Sequence, residues 1–190
     1  MRTLFSFNMI SLDGFFEGPN QELDWHTVDA AFNEFAIEQL NAMDVILFGR
    51  VTYQMMASFW PTQVALESDP VIANQMNSLP KVVVSTTLDQ ADWHNTRLIK
   101  DNIAYEIEQL KQQPGQDIGI FGSARLTGYL LQMGLVDELR MMVSPVILGQ
   151  GTPFFRDVTE QVHLKLLRTK VFDAGNVLLC YQPETKKQGM

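Results

Sequence analysis

Short apolar runs that stop abruptly in small or hydroxylated residues punctuate the chain. Thr3 to Met9 supplies Leu4, Phe5, Phe7 and Met9 ahead of the turn signal Asp13-Gly14, and predicts a first strand. Val45-Ile46-Leu47-Phe48 runs into Gly49-Arg50-Val51-Thr52, and Val82-Val83-Val84 into Ser85-Thr86-Thr87. Ile118 to Phe121 leads in the same way into Gly122-Ser123-Ala124-Arg125. Unbroken apolar runs of this length suit strands buried on both faces of a parallel sheet.

Between these runs the period changes to that of a helix. Asp29 is placed to cap a helix whose inward positions are Phe32, Phe35, Ala36, Leu40 and Met43. The stretch RVTYQMMASF predicts a second helix that ends before Trp60-Pro61. Asp69-Pro70 opens another over VIANQMN, although the rest of the segment from Pro61 to Pro80 shows little pattern. Ile103, Ile107 and Leu110 mark an amphipathic helix stopped by Pro114-Gly115. Leu126, Leu130, Leu131 and Met133 mark one with Gly134 as its C-cap.

After Gly134 alternation takes over, first along Leu139, Met141 and Val143, then as two runs joined at Asp173-Ala174-Gly175-Asn176, which predict a hairpin. TRLI predicts a further short strand. The loop from Gly14 to His26 is irregular, with Gly18, Pro19 and Asn20, yet it carries Phe15, Phe16, Leu23 and Trp25 and has aromatic surface to bury. The pattern predicts one α/β domain over 1–183, a polar tail over 184–190, a mostly parallel core and antiparallel strands on the C-terminal side.

Charge narrows the partners. A formal net charge of −8, with scattered basic residues, argues against a broad grip on nucleic acid or an anionic membrane. No run approaches the ~18 apolar residues of a membrane span, and Asp13 interrupts the N-terminal one, so a soluble cytoplasmic protein without a signal peptide is expected. Cys180 is a lone cysteine, which excludes an internal disulfide and suits a small apolar filler in the last strand. His26, His94 and His163 lack metal-ligand spacing, so no metal site is expected and surface or capping roles are favoured. The methionines fall mostly at core-facing positions.

The candidate chemistry lies where the apolar runs end. In a parallel sheet the C-terminal ends of the strands share one edge, so Gly49 to Thr52, Ser85 to Thr87 and Gly122 to Arg125 would converge if their strands are neighbours. Two of these turns open helices, whose free backbone N–H groups and positive dipole ends attract phosphate oxygens. Arg50 adds a forked donor suited to phosphate, and Ser85, Thr86 and Thr52 add hydroxyls. A ligand with an extra phosphate, as NADPH has, would use them. Turn-forming residues end strands in any α/β fold, so it is the three junctions together that single out this edge. There is no phosphate-loop signature, and Gly122, Gly128 and Gly134 do not match G-x-G-x-x-G.

The ordered segments SLDGFFEG, DVILFGRVTY, KVVVSTTL and IGIFGSARLTGYLLQMGLVDELRMMVSPVILGQGTPFF resemble the dihydrofolate reductase-like superfamily. Within it the chain is most similar to the reductase domain of the bacterial riboflavin-biosynthesis deaminase/reductase and its stand-alone relatives, over Thr3 to Tyr181. The resemblance implies a three-layer α/β/α fold, a homodimer and NADPH as cofactor. By position it implies that Gly49, Arg50 and Thr52 hold phosphates, that Ser85 and Thr86 meet the phosphate on the adenosine ribose, and that Gly122, Ser123, Ala124 and Leu126 meet the pyrophosphate. The zinc-binding deaminase half has no counterpart here, so no deamination is expected. Where dihydrofolate reductases carry a helix carboxylate that assists proton delivery, this sequence offers Asp24, Asp29 or Glu34.

The expected activity is therefore hydride transfer from NADPH to a small heterocyclic substrate beneath the loop 14–26, with Asp13 and Trp25 as candidate catalytic or substrate contacts. Asp13 has a plain alternative role in the Asp-Gly turn. The alternative activity is a non-catalytic NADPH or pterin binding protein.

Overall fold

Residues 1–184 are described by a computed structural model, so the expected polar tail, except for Glu184, lies outside the described residues. The strands are β1 (Leu4–Ser11), β2 (Phe15–Glu17), β3 (Met43–Gly49), β4 (Lys81–Val84), β5 (Thr96–Ile99), β6 (Asp117–Phe121), β7 (Glu138–Ser144), β8 (Thr152–Pro153), β9 (Leu164–Val171) and β10 (Val177–Pro183). Eight of them form one sheet in the order β5-β4-β3-β6-β1-β7-β10-β9. The first six in that order pair in parallel. The C-terminal hairpin adds β10 and β9 antiparallel. β2 and β8 make a separate two-stranded ribbon.

The helices are α1 (Ala30–Asn41), α2 (Arg50–Phe59), α3 (Gln63–Ser68), α4 (Pro70–Ser78), α5 (Ile103–Gln112) and α6 (Ala124–Gln132). Strand alternation decides which face each meets. Val45 and Leu47 pack with Ile107 and Leu110 of α5 and Leu126, Leu130 and Leu131 of α6. Ile46 and Phe48, pointing the other way, pack with Leu40 of α1, Tyr53 of α2 and Ile72 and Met76 of α4. Helices thus cover both faces, which is why the central runs read as continuously apolar. The result is the three-layer α/β/α fold expected from the sequence, with its mostly parallel sheet and antiparallel C-terminal hairpin.

Local differences have local causes. Met43 is not the last inward residue of α1. The helix stops at Asn41 with Ala42 as its C-cap, and Met43 opens β3 opposite Asp117 of β6. α3 has no apolar period because only Ala65 is buried on it; it is started by Thr62, whose hydroxyl accepts from the Ala65 N–H at 3.3 Å. Gly134 lies one residue beyond the α6 cap Met133, at φ +70°, the left-handed position that ends a helix. Asp29 caps α1 as expected, with Oδ1 accepting from the Phe32 N–H at 2.7 Å. Cys180 is wholly buried in β10. Among the described residues no helix is long and apolar enough to cross a membrane.

The edge strand β9 is exposed along its whole length, including Leu164, Leu166, Leu167 and Val171. An unpaired edge bearing apolar side chains is a template for pairing with another chain.

Candidate functional site

β3 and β6 are neighbours, yet the chain leaves them in opposite directions: from β3 through α2 towards β4, and from β6 through α6 towards β7 on the far side of β1. Such a divergence opens a crevice at the C-terminal ends of the two strands, where open α/β sheets bind ligands. α2 lies on one face of the sheet and α6 on the other, and both start at this crevice. Register brings the third junction alongside, because Gly49 pairs with Val84, the residue before Ser85. The three strand ends singled out in the sequence are therefore adjacent.

The two helix starts are tied to each other. The Gly49 N–H donates to Ser123 Oγ at 2.9 Å, and the Ser123 N–H donates to Thr52 Oγ1 at 3.0 Å. Ser123 Oγ also donates to the Phe121 carbonyl at 3.2 Å. Thr52 and Ser123 are buried, so these bonds are shielded from water. Gly122 and Ser123 both adopt left-handed backbone, at φ +59°. A side chain at Gly122 would put Cβ 2.9 Å from Thr52 Cγ2, so glycine is needed there for space as well as for φ.

Neither helix start is capped by a side chain. The first-turn amides of α2, and those of Ala124, Arg125 and Leu126 in α6, keep the donor capacity and positive dipole end that bind anions. Leu126 contributes through its backbone, since its side chain belongs to the core. Arg50, exposed at the first position of α2, donates to Gln54 Oε1 at 2.9 Å and has no ion pair among the described residues. Ser85 is buried; its Oγ accepts from the N–H of Thr87 at 3.1 Å and of Leu88 at 2.9 Å, and shares a longer hydrogen bond with Thr87 Oγ1 at 3.4 Å. Thr86 is exposed beside it. A phosphate-bearing ligand fits this donor set: uncapped amides at the centre, a guanidinium and hydroxyls towards β4.

Among the described residues no hydrogen bond ties Asp13 or Trp25 to this group. Asp13, after β1, accepts from the N–H of Leu148 at 3.1 Å and of Gly149 at 2.8 Å, joining the loops that follow β1 and β7. Its pKa is held below the ordinary carboxylate value, by a hydrogen bond from Ser11 first and by the Gly149 and Leu148 amides. That keeps it ionised and fits an anchor better than a proton donor. Trp25 is half-buried; its Nε1 donates to the Glu22 carbonyl at 3.2 Å, and its ring stands edge-on to His26 at 4.3 Å. His26 is no surface residue: Nε2 is buried without a partner, and burial pushes its pKa down to about 4.

Next to the crevice, on the α1 face, Phe7 and Phe121 meet α1 side chains in an aromatic wall. Phe7 lies 5.7 Å from Phe35, 6.3 Å from Phe32 and 6.1 Å from Phe121. No free carboxylate sits on the inner side of α1. Asp29 gives one oxygen to the helix cap and the other to the Ala174 N–H at 3.0 Å, and Asp24 and Glu34 are exposed. No group of His, Cys, Asp and Glu among the described residues could hold a metal ion.

Sequence reasoning missed a buried polar cluster beneath α6. Asn8 Nδ2 donates to Ser6 Oγ at 2.7 Å, and Ser6 Oγ shares a hydrogen bond with Thr127 Oγ1 at 2.9 Å. All three residues are buried. The signal was in β1 itself, where Ser6 and Asn8 interrupt one face of an otherwise apolar strand.

Comparison with known proteins agrees with this fold. Residues 2–178 match the model of the RibD C-terminal domain family. The uncharacterized protein YyaP of Bacillus subtilis (strain 168) is 36% identical over 174 residues, 90% of each chain. Among solved structures, a Shewanella sp. PV-4 protein assigned to riboflavin biosynthesis superposes with a TM-score of 0.73 at 21% identity, over 96% of this chain and 99% of that one. Dihydrofolate reductase from Enterococcus faecalis, complexed with NADP(H), superposes with a TM-score of 0.64 at 15% identity, over 96% and 97%. At such identities the two structures speak for the fold alone.

Proposed function

Because the chain belongs to the RibD C-terminal domain family, we propose that it is an NADPH-dependent reductase that passes a hydride to a small heterocyclic substrate, as the 5-amino-6-(5-phosphoribosylamino)uracil reductase of riboflavin biosynthesis does. The observation that carries this reading is the pair of uncapped helix starts, cross-tied through Ser123 and Thr52, with Arg50, which has no ion pair among the described residues, beside them. The amides of Ala124 to Leu126 would receive the pyrophosphate, and Arg50 with Thr86 and the Ser85 hydroxyl would receive the phosphate on the adenosine ribose. The dinucleotide supplies the hydride. The protein's part is position and exclusion of water.

Phe7, Phe32 and Phe121 offer a flat apolar surface against which a heterocycle can stack next to the crevice. With Asp13 and Asp29 each engaged by two backbone amides, the proton that accompanies the hydride comes from solvent or from the substrate. That same observation favours a second reading, a protein that binds NADPH or a pterin without turning it over.

One experiment separates the two. NADPH is mixed with the protein and a panel of aminopyrimidine, pterin and carbonyl compounds while the absorbance of the reduced ring is followed. Loss of absorbance with one class identifies a reductase and its substrate. Tight NADPH binding with no loss for any compound leaves the binding protein, and no NADPH binding at all ends the reductase reading and leaves at most a pterin binder.

The assembly belongs to this proposal too: a cytoplasmic homodimer, with the apolar edge of β9 as the contact. Leu166→Lys should shift the protein to a monomer in analytical ultracentrifugation. An unchanged sedimentation coefficient, or a monomeric wild type, would remove β9 from that role.

A further inference from the structure

We infer that the substrate is a neutral heterocycle with an apolar side arm, carrying neither phosphate nor carboxylate; this rests on the reductase reading above and names the class of compound that the site takes. The sequence supplies the first observation. Between Thr3 and Pro80, the span that makes β1 to β3 and α1 to α4, Arg50 is the sole Lys or Arg, and every other charged residue is Asp or Glu. His26, in the same span, is kept neutral by burial, with its pKa pushed down to about 4. An anionic arm entering between these elements would meet carboxylates, and no cation except Arg50.

Arg50 is turned away from the substrate side. Its guanidinium donates to Gln54 Oε1 at 2.9 Å, and Gln54 lines a cavity with Ser58, Leu88 and His94, so that flank of α2 looks towards the loop after β4. The opposite flank is marked by Thr52, which accepts from the Ser123 N–H beyond β6. Met55 and Phe59 follow Thr52 at helical spacing and share its flank. They face α1, which packs on β1 through Phe32 and Phe35 against Phe7. The two helices meet at depth, where Ala36 and Ile37 of α1 share a cluster with Met56 and Trp60.

Above that base the banks are apolar and open. Val51, Met55 and Phe59 are exposed, and Phe7, Phe32 and Phe121 are half-buried. The first three make one row along α2 that starts at the crevice, each a helical turn beyond the last. An exposed apolar row beside an aromatic wall contributes little to the core and marks a surface to be covered. Its continuity with the crevice decides the occupant: a ring against the aromatic wall, with the arm lying along Val51, Met55 and Phe59. The compound 5-amino-6-(5-phosphoribosylamino)uracil, whose arm ends in phosphate, does not match these banks.

The test is calorimetric binding of two matched pairs to the full chain: 5-amino-6-(butylamino)uracil and 6-butylpterin, each beside the counterpart whose butyl arm ends in phosphate. For at least one ring the neutral member should bind roughly tenfold tighter or more, since its arm leaves no charge unpaired against the apolar row. Met55→Lys puts a cation on that row and should reduce the preference roughly threefold or more. Tyr105→Lys, at an exposed position of α5 on the other face of the sheet, should leave it unchanged. Met55→Ser should weaken the neutral member several-fold and its counterpart less. Phosphorylated members that bind as tightly as the neutral ones overturn the inference, as does a preference that Met55→Lys and Tyr105→Lys change equally. A Met55→Lys protein with an altered sedimentation coefficient and an unaltered preference gives the row to an interface between copies of the chain and also overturns it. Failure of all four compounds to bind overturns it together with the heterocycle reading. A neutral preference without any oxidation of NADPH leaves the ligand class standing and overturns the reductase reading.

Discussion

The Thr52 hydroxyl oxygen lies 3.0 Å from the Ser123 backbone nitrogen and accepts its proton, joining the first turn of α2 to the residue from which α6 starts. Since Ser123 Oγ in turn accepts from Gly49, the two helix starts on opposite faces of the sheet form one unit. Thr52→Val keeps the shape and removes the acceptor, leaving a buried N–H unsatisfied at about 1–3 kcal/mol. Thr52→Ser should keep most of the stability. Urea unfolding checks this, and equal midpoints for Val and Ser would show that the hydroxyl contributes nothing.

The same contact makes Gly122 sensitive to its neighbour. Gly122→Ala meets two penalties: φ of +59°, unfavourable by about 1–2 kcal/mol for a residue with Cβ, and collision with Thr52 Cγ2 at 2.9 Å. Thr52→Ser removes Cγ2 and leaves the hydroxyl. The cost of Gly122→Ala should therefore be smaller in the Thr52→Ser background, a non-additivity of at least about 0.5 kcal/mol in a double-mutant cycle. Strict additivity would show that backbone strain alone decides.

Why the crevice was legible in sequence follows from its construction. Gly49, Ser85 and Gly122 each end an apolar run, so their chemistry is written next to the strongest periodic signal in the chain, and register then makes them adjacent. Asp29 was legible as a cap because capping is a local matter. Asp13 was not. The Asp-Gly pair announces a turn, whereas its partners Leu148 and Gly149 lie 135 and 136 residues away and no local pattern points to them. Asn8 and His26 were missed for a related reason: what distinguishes each is a buried atom without a partner, and that depends on how distant elements close over it. α3 escaped because a helix with one buried residue has no period to detect.

Asp13 gives a prediction about the loops and not about chemistry. Its lowered pKa means that the anchor is intact above the ordinary carboxylate range, and that it is lost as pH falls through the depressed folded value. At neutral pH Asp13→Ala should speed amide exchange at Leu148 and Gly149, and Asp13→Asn, which keeps one acceptor oxygen, should do so less. Unchanged exchange in Asp13→Ala would dismiss the anchor.

Arg50 tests the phosphate assignment. The guanidinium is exposed and has no carboxylate partner among the described residues, so its removal disturbs little of the fold. Arg50→Ala should weaken NADPH by roughly tenfold or more through loss of a charge-assisted bond, and NADH far less. Binding of both reduced dinucleotides can be followed by quenching of protein fluorescence. Equal losses would assign Arg50 to the pyrophosphate instead.

His26 makes the loop before α1 sensitive to acid. Its folded pKa, about 4, lies below the ordinary 6.5 because burial disfavours the cation. When the loop opens, His26 is hydrated and takes up a proton more readily, so between pH 6.5 and about 4 the open state binds more protons than the closed one. The closed loop is therefore fully favoured above pH 6.5 and loses ground as pH falls towards 4. The reporter is already in place, since the Trp25 ring stands edge-on to the imidazole at 4.3 Å. Trp emission should change across this range in the wild type. Trp25→Phe should remove the change by deleting the reporter, and His26→Gln by deleting the titrating group. Opening should leave α1 anchored, because Asn176 Nδ2 still donates to the Thr27 carbonyl at 2.8 Å and Asp29 still accepts from Ala174, and neither bond involves the imidazole. An emission change that persists in His26→Gln would place the titrating group elsewhere and remove His26 as the acid-sensitive element of the loop.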